Sequence, residues 1–141
     1  MRAVADTNTI VSGLLWHGTS RQLLDAARGG AISLYTSDVL LAELVDVLPR
    51  AKFANKVAAS GMSIEELMRR YALLAPRITP AEIGNVVLGD PDDDALIACA
   101  LAARADFIIS GDKRVRNVKH HQRIRIVSVA EALSIIAPRS G

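Results

Sequence analysis

Four acidic residues stand in segments that are otherwise apolar or that follow a predicted strand, where a carboxylate needs an explanation. They are far apart in the chain: Asp6, Glu43, Asp94 and Asp112. A group of carboxylates without cysteine, and with no histidine close in sequence, favours a hard cation such as Mg²⁺ or Mn²⁺. A cation held in this way binds a phosphoryl oxygen and generates hydroxide from water near neutral pH. Phosphodiester hydrolysis is the reaction that best matches these residues.

Each acid also has an ordinary structural explanation. Asp6 and Asp112 follow predicted strands, where aspartate is favoured as a turn residue or a helix N-cap. Glu43 lies at helical spacing between Val39 and Val47, so its charge requires a cation, an arginine partner or a reach to solvent. For Glu43 the structural and the functional explanation are both open.

Asp94 begins a predicted helix that is apolar on nearly every side, which indicates a buried element. Three further acids crowd the loop before it: Asp90, Asp92 and Asp93. One aspartate would suffice to cap the helix, whereas the run from Asp92 to Asp94 places like charges side by side. A bound cation would offset that repulsion.

Short β-rich segments alternate with longer helical patterns, which predicts an α/β domain with a mostly parallel sheet. The predicted strands are Arg2–Ala5, Ile32–Tyr35, Phe107–Ser110 and Ile124–Val127. The predicted helices lie near Ser20–Arg28, Asp38–Leu48, Ile64–Ala75, Asp94–Ala103 and Val129–Ile136. Ligands of such sheets bind beyond the carboxyl ends of the strands. Asp6 and Asp112 should therefore emerge on the same rim.

Three local features complete the predicted architecture. The strand Ile124–Val127 alternates with arginines, so we expect one wet face and a position at the sheet edge. Residues 50–75 look like a helical insertion with one apolar stripe for core packing, with a partner-binding face as the alternative. Trp16 is predicted to be a core anchor, with a contact between subunits as the alternative.

Composition restricts the class of protein. The chain has 141 residues, of which 50% are hydrophobic and 23% charged, as in a single globular domain rather than a disordered protein. Cys99 is the sole cysteine, which excludes a disulfide framework and a cysteine-based zinc site. The longest apolar run, Ala95–Ala103, is too short to cross a bilayer. We therefore expect a cytoplasmic protein without a membrane span.

The sequence resembles the PIN-domain ribonucleases, in the group related to the VapC toxins of toxin–antitoxin pairs. The resemblance covers nearly the whole chain and rests on four motifs in this order: residues 6–16, 41–44, 90–96 and 105–112. It implies a single PIN-like domain over residues 1–141, folded as a compact three-layer α/β/α sandwich. It also implies Mg²⁺- or Mn²⁺-dependent endonuclease activity on RNA, an antitoxin partner and a homodimer.

The resemblance assigns roles to individual residues. Asp6, Glu43 and Asp94 match the first three acids of the family, and Asp112 matches the fourth, more variable acid. Small polar or acidic residues that would line the site are Asn8, Asp93 and Ser110. Relatives often carry another aspartate two positions after the fourth acid, where this chain has Arg114. That difference argues against an additional carboxylate there.

Basic residues directly after Asp112 are candidates for holding the RNA backbone on either side of the cut. They are Lys113, Arg114 and Arg116. A solvated surface is the ordinary explanation of such a charge run, and the net charge of +2 does not itself argue for nucleic acid. Aromatic residues make up only 4% of the chain, so the composition itself does not support base stacking.

Two other functions are compatible with parts of the pattern. One is a catalytically inactive PIN-like binding module that acts through protein or RNA contacts; the four acids argue against it. The other is an aspartyl-phosphate enzyme or receiver, which also places an aspartate after the first strand. Phosphatases of that kind usually have a second aspartate two positions later, where this chain has Asn8.

Overall fold

A computed structural model describes residues 1–80, 91–111, 120–121 and 124–137 of the protein. Its strands are β1 (Arg2–Ala5), β2 (Ser33–Tyr35), β3 (Phe107–Ile109), β4 (His120–His121) and β5 (Ile124–Val127). Its α-helices are α1 (Thr7–Leu15), α2 (Thr19–Arg28), α3 (Asp38–Val47), α4 (Ala54–Ala59), α5 (Ile64–Leu74), α6 (Pro91–Ala102) and α7 (Val129–Ile136). A 3₁₀ turn over Ala51–Phe53 precedes α4. Helix α1 and strand β4 were not among the predicted elements.

The sheet has the order β2-β1-β3-β5-β4, and every pair is parallel except β4 with β5. This confirms the prediction of a mostly parallel sheet. The prediction that Ile124–Val127 forms an edge was wrong, because His120–His121 adds an antiparallel strand beyond it. The alternation itself was read correctly, since Arg125 is exposed between the buried residues Ile124 and Ile126.

Alternate residues of the strands face two separate hydrophobic clusters. Ala3 and Ala5 of β1 belong to a cluster with residues of α1, α2, α5 and α7. Val4 belongs to a second cluster on the other face, built largely from α6. Helices therefore cover both faces of the sheet, which confirms the three-layer α/β/α sandwich. None of the helices in the described ranges has the length and hydropathy needed to cross a membrane.

The helix starts follow the side-chain signals in the sequence. Ser63 accepts from the N–H of Glu66 at 3.1 Å, and the Glu66 carboxylate accepts from the Ser63 N–H at 3.4 Å. Ser128 and Glu131 form the same reciprocal pair, with both distances at 3.1 Å. The spacing of each pair, a serine followed three residues later by a glutamate, is the sequence signature of a capping box. Thr79 and Glu82 have the same spacing, and Glu82 lies outside the described residues.

Helices α1 and α2 pack closely because Gly13 has no side chain. A Cβ atom added at Gly13 would lie 2.8 Å from Cδ1 of Leu24 and 2.9 Å from the carbonyl oxygen of Ser20. Arg21 spans the same contact by donating from Nη2 to the carbonyl of Leu14 at 3.0 Å. The close approach of the two helices therefore depends on the glycine, and the N-terminus of α1 lies at the carboxyl end of β1.

Candidate active site at the carboxyl ends of the strands

Asp6 is held by three hydrogen bonds directly beyond the end of β1. Its Oδ1 accepts from the Thr9 N–H at 2.8 Å, which makes Asp6 the N-cap of α1. Its Oδ2 accepts from the Ser110 hydroxyl at 2.7 Å and from the Gly111 N–H at 3.2 Å. The Asp6 N–H donates to the carbonyl of Ile109 at 2.9 Å and so continues the ladder between the strands.

This arrangement orients the carboxylate, whose oxygens accept three hydrogen bonds from the described residues. A carboxylate offers about four acceptor positions, and hydrogen bonds to its oxygens are typical of carboxylates that ligate metals. The Asp6 side chain is half-buried, so it can still be reached from the rim. The bonds also have a purely structural value, because they cap α1 and join β1 to the segment after β3.

The strand register explains why Ser110 meets Asp6. Ala5 is paired with Ile109 in the parallel β1–β3 ladder, so the next residue of each strand emerges at the same level. Ser110 is fully buried and its N–H donates to the carbonyl of Val127 at 2.9 Å. Among the predicted site-lining residues, Ser110 therefore contacts Asp6 directly. Asn8 lies exposed in the first turn of α1.

Glu43 and Asp94 are both half-buried, on helices that pack against each other. Helix α3, which carries Glu43, also contacts α1. Helix α6, which carries Asp94, also contacts β1. Asp6 lies between β1 and α1, so the three acids lie on neighbouring parts of the fold. The apolar stripe around Glu43 is narrower than predicted, because Val39 is 54% exposed while Val47 is buried. As predicted, Asp94 precedes a fully buried run, residues 96–100.

The described residues do not contain a ready three-ligand metal site. Within them, no group of three or more histidine, cysteine, aspartate or glutamate side chains is placed to hold a metal ion. Several predicted residues fall outside this part of the chain: Asp112, Lys113, Arg114 and Arg116, together with the side chain of Asp93. The oxygen donors of Asp6, Glu43 and Asp94 suit a hard cation by their chemistry. Their joint use as ligands stays a prediction.

A buried layer of hydroxyl groups lies beside Asp6. Tyr71 is 3% exposed and shares a hydrogen bond with the Thr36 side chain. Burial raises the pKa of the Tyr71 phenol above its ordinary value, the hydrogen bond opposes this, and the nearby Cys99 and Asp6 raise it further. A small cavity beside Tyr71 is lined by Ala5, Thr7, Ile10, Thr36, Leu40, Leu44 and Tyr71. The buried phenol is therefore held in its neutral form.

Sequence reasoning missed this layer, although one signal was present. Thr36 and Ser37 follow β2 as Asp6 follows β1, so they too lie at the carboxyl ends of the strands. Ser37 caps α3 by accepting from the Leu40 N–H at 3.3 Å, and it hydrogen-bonds the Cys99 thiol. Burial nonetheless raises the pKa of Cys99 to about 11.

A family model described as the PIN domain matches residues 2–114, most of the chain. The chain belongs to the PIN-domain family. Proteins of this family are typically nucleases that act on RNA and use divalent metal ions. The four acids predicted from the sequence all lie within the matched range of this PIN domain. No curated protein and no solved structure matches the chain.

Proposed function

We propose that this PIN-domain protein is a metal-dependent endoribonuclease and the VapC-like toxin of a toxin–antitoxin pair. The observation that carries the nuclease activity is the Asp6 carboxylate, fixed beyond the carboxyl end of β1 by Ser110 and Gly111. A carboxylate oriented in this way, in a fold whose members are nucleases, is suited to bind a cation at a phosphodiester.

Asp6, Glu43 and Asp94 would hold Mg²⁺ or Mn²⁺, with Asp112 as an additional ligand. When bound, the cation supplies charge neutralisation at the phosphate and activation of water. The protein's own residues prepare this site. Ser110 and the Thr9 N–H keep Asp6 from rotating, so little reorganisation is needed when substrate arrives.

Other predicted residues have supporting roles in this proposal. The exposed Asn8 amide can donate to a phosphate oxygen from the first turn of α1. Asp93 lies beside Asp94 and would shape the electrostatic field of the site. The basic residues after Asp112 would bind the RNA backbone on either side of the cut: Lys113, Arg114 and Arg116. An antitoxin chain, a homodimer and a cytoplasmic location belong to the same proposal.

A second candidate is a PIN-like module that binds protein or RNA without cutting it. The observation that favours it is that the described residues hold no ready three-ligand metal group. Isothermal calorimetry with Mg²⁺ and Mn²⁺ separates the two candidates, because the inactive module should take up neither ion at Asp6.

The decisive experiment is cleavage of labelled RNA pools with Mg²⁺, with Mn²⁺ and with EDTA. Asp6→Asn and Asp94→Asn should reduce cleavage by roughly 100-fold or more, since several kcal/mol of transition-state stabilisation depend on the cation. Asp46→Asn is the matched control, because Asp46 is exposed and forms a surface ion pair with Arg50. Equal cleavage by all variants, or in EDTA, would refute the nuclease assignment.

A further inference from the structure

Two aromatic side chains form a contact at the surface beyond the end of α1. The ring centroids of Trp16 and Phe53 are 5.9 Å apart and the rings meet edge to face at 80°. Trp16 is 36% exposed, so the prediction that it anchors the core was wrong. It packs against the 3₁₀ turn instead and leaves part of the indole open to solvent. We call Trp16, Phe53 and the two lysines beside them the aromatic patch.

The two lysines place positive charge directly on these rings. Lys56 Nζ lies 5.4 Å from the centroid of the Trp16 ring, and Lys52 Nζ lies 5.0 Å from that of Phe53. Both lysines are exposed. Within the described residues neither ammonium group forms an ion pair with a carboxylate. Cation–π contacts of this kind hold the lysines near the rings without neutralising them.

The two segments that build the aromatic patch contain no acidic residue. Residues 7–24 include Arg21, and residues 47–64 include Arg50 beside the two lysines, but neither stretch has Asp or Glu. Of these cations, Arg50 is engaged with Asp46 at 3.4 Å. The surface therefore attracts an anion although the whole chain is nearly neutral. Exposed aromatic surface flanked by cations fits single-stranded nucleic acid, whose bases stack while its phosphates pair.

One face of α1 connects the aromatic patch with Asp6. Asn8, Ser12 and Trp16 follow one another at four-residue spacing, and each is exposed or half-buried. Buried residues such as Ile10 and Leu14 occupy the opposite face. At a rise of 1.5 Å per residue, the path from Asp6 to Trp16 is about 15 Å long. An extended strand of RNA lying along this face would reach both ends.

We propose that the aromatic patch binds single-stranded RNA, with a base stacked on the open indole surface of Trp16 and phosphates held by Lys52 and Lys56. The inference rests on the proposed nuclease function for its placement relative to the cut. RNA binding by the aromatic patch does not itself require cleavage. The indole and the Asp6 carboxylate would thus engage one RNA strand at two points along α1.

The test measures binding of a fluorescein-labelled single-stranded oligonucleotide in EDTA, with a duplex of the same length for comparison. Trp16 is the sole tryptophan, so its fluorescence reports stacking directly and should be quenched by the single strand. Trp16→Ala should weaken binding about 5- to 100-fold, as expected for one stacked base, and Trp16→Phe should restore part of it. Lys52→Ala with Lys56→Ala should lower the salt dependence of binding.

Arg125→Ala is the matched control for the lysines. Arg125 also lies over an aromatic ring, 5.7 Å from the centroid of Phe107, but at the amino end of β3 and so at the opposite rim from Asp6. Arg125→Ala should change the affinity for the single-stranded oligonucleotide less than twofold. Circular dichroism measures whether Trp16→Ala is folded. If that variant does not fold, the variants of the two exposed lysines still test the inference.

The outcomes separate this inference from the nuclease proposal. Quenching of Trp16 fluorescence and Trp16-dependent RNA binding, without RNA cleavage, would support RNA binding by the aromatic patch and refute the nuclease proposal. A second outcome is that RNA is cleaved while Trp16 fluorescence is not quenched and all patch variants bind RNA as tightly as the natural chain. That result would overturn RNA binding by the aromatic patch and would not affect the nuclease proposal. Light scattering measures the oligomeric state of Trp16→Ala. A changed oligomeric state with unaltered RNA binding would also overturn RNA binding by the aromatic patch and would assign this surface to protein contacts.

Discussion

The hydroxyl of Ser110 donates a hydrogen bond of 2.7 Å to the carboxylate of Asp6, although the two residues are 104 positions apart in the chain. The parallel pairing of β1 with β3 brings them to the same level, and the Gly111 N–H adds a second donor to the same oxygen. The contact therefore joins the end of β1 to the segment that leads from β3 into Asp112.

Ser110→Ala should lower both stability and activity. Loss of a hydrogen bond to a charged group costs about 1.5–3 kcal/mol, measured as the free energy of unfolding in urea. If Asp6 holds the cation, removal of the group that orients it should reduce RNA cleavage by roughly 10- to 100-fold.

Ser60→Ala is the control for this substitution. The Ser60 hydroxyl donates to the carbonyl of Val57 at 2.6 Å in a local turn remote in sequence from the rim residues. Ser60→Ala should lower the free energy of unfolding by about 1 kcal/mol and leave RNA cleavage unchanged. A Ser110→Ala protein that retains full activity would show that Asp6 does not depend on this donor.

Gly13→Ala should destabilise the protein by about 1–3 kcal/mol, because the new methyl group would collide with Leu24 and with the backbone of Ser20. The general preference of helices for alanine over glycine works in the opposite direction and is smaller, about 1 kcal/mol. Thermal unfolding of Gly13→Ala beside Gly29→Ala tests this. The nearest atom to a Cβ at Gly29 is 3.5 Å away, so that variant should be neutral or slightly stabilised.

The two capping boxes should contribute independently. Ser63→Ala and Ser128→Ala each remove the acceptor for a helix N–H and should cost about 1 kcal/mol, or roughly 3 °C in Tm for a chain of this size. The double variant should lose the sum of the two, because the residues share no partner. Differential scanning calorimetry provides the values, and Ser63→Asp, which keeps an N-cap acceptor, should recover most of the loss.

Cys99 should make stability fall in alkaline solution. Its pKa is raised from 9.0 in an unperturbed thiol to about 11 in the folded chain, because burial disfavours the thiolate. A raised pKa contributes stability that is fully present below pH 9 and is lost as the pH approaches 11. The raised pKa of Tyr71 acts in the same direction.

Urea unfolding at pH 8 and pH 10 measures this effect, with Cys99→Ala as the comparison. The stability advantage of the natural chain over Cys99→Ala should narrow between the two pH values. A constant difference would mean that the thiol does not titrate on unfolding. Alkylation of Cys99 by iodoacetamide at pH 8 should accordingly be slow until denaturant is added.

Four of the five described strands and most helices could be read from the sequence, because hydrophobic period and capping residues indicate them; the two-residue strand β4 could not. Val129–Ile136 begins at the Ser128 capping box and was predicted with both ends correct. Helix α1 was missed, since its β-branched residues, among them Thr7, Ile10 and Val11, favour extended structure. Tertiary packing against the sheet and the Asp6 cap override that local preference.

One contact of the candidate site could be predicted from the sequence. The position of Asp6 beside Ser110 follows from the rule that ligands meet the carboxyl ends of parallel strands. The exposure of Trp16 could not be predicted, because it depends on how the segment 51–59 packs beside α1. Short segments of that kind are oriented by tertiary contacts, for which a single sequence carries no periodic signal.

The parallel pairing of the first strand with β3 also has a consequence during translation. A ribosome that adds about 5–20 residues per second needs roughly 5–20 s to proceed from Asp6 to Ser110, which lies 104 positions later. Until then the nascent chain has neither the serine hydroxyl nor the neighbouring strand that align the aspartate. The rim can therefore mature only after Ser110 has been synthesised, long after Asp6 has been added to the chain.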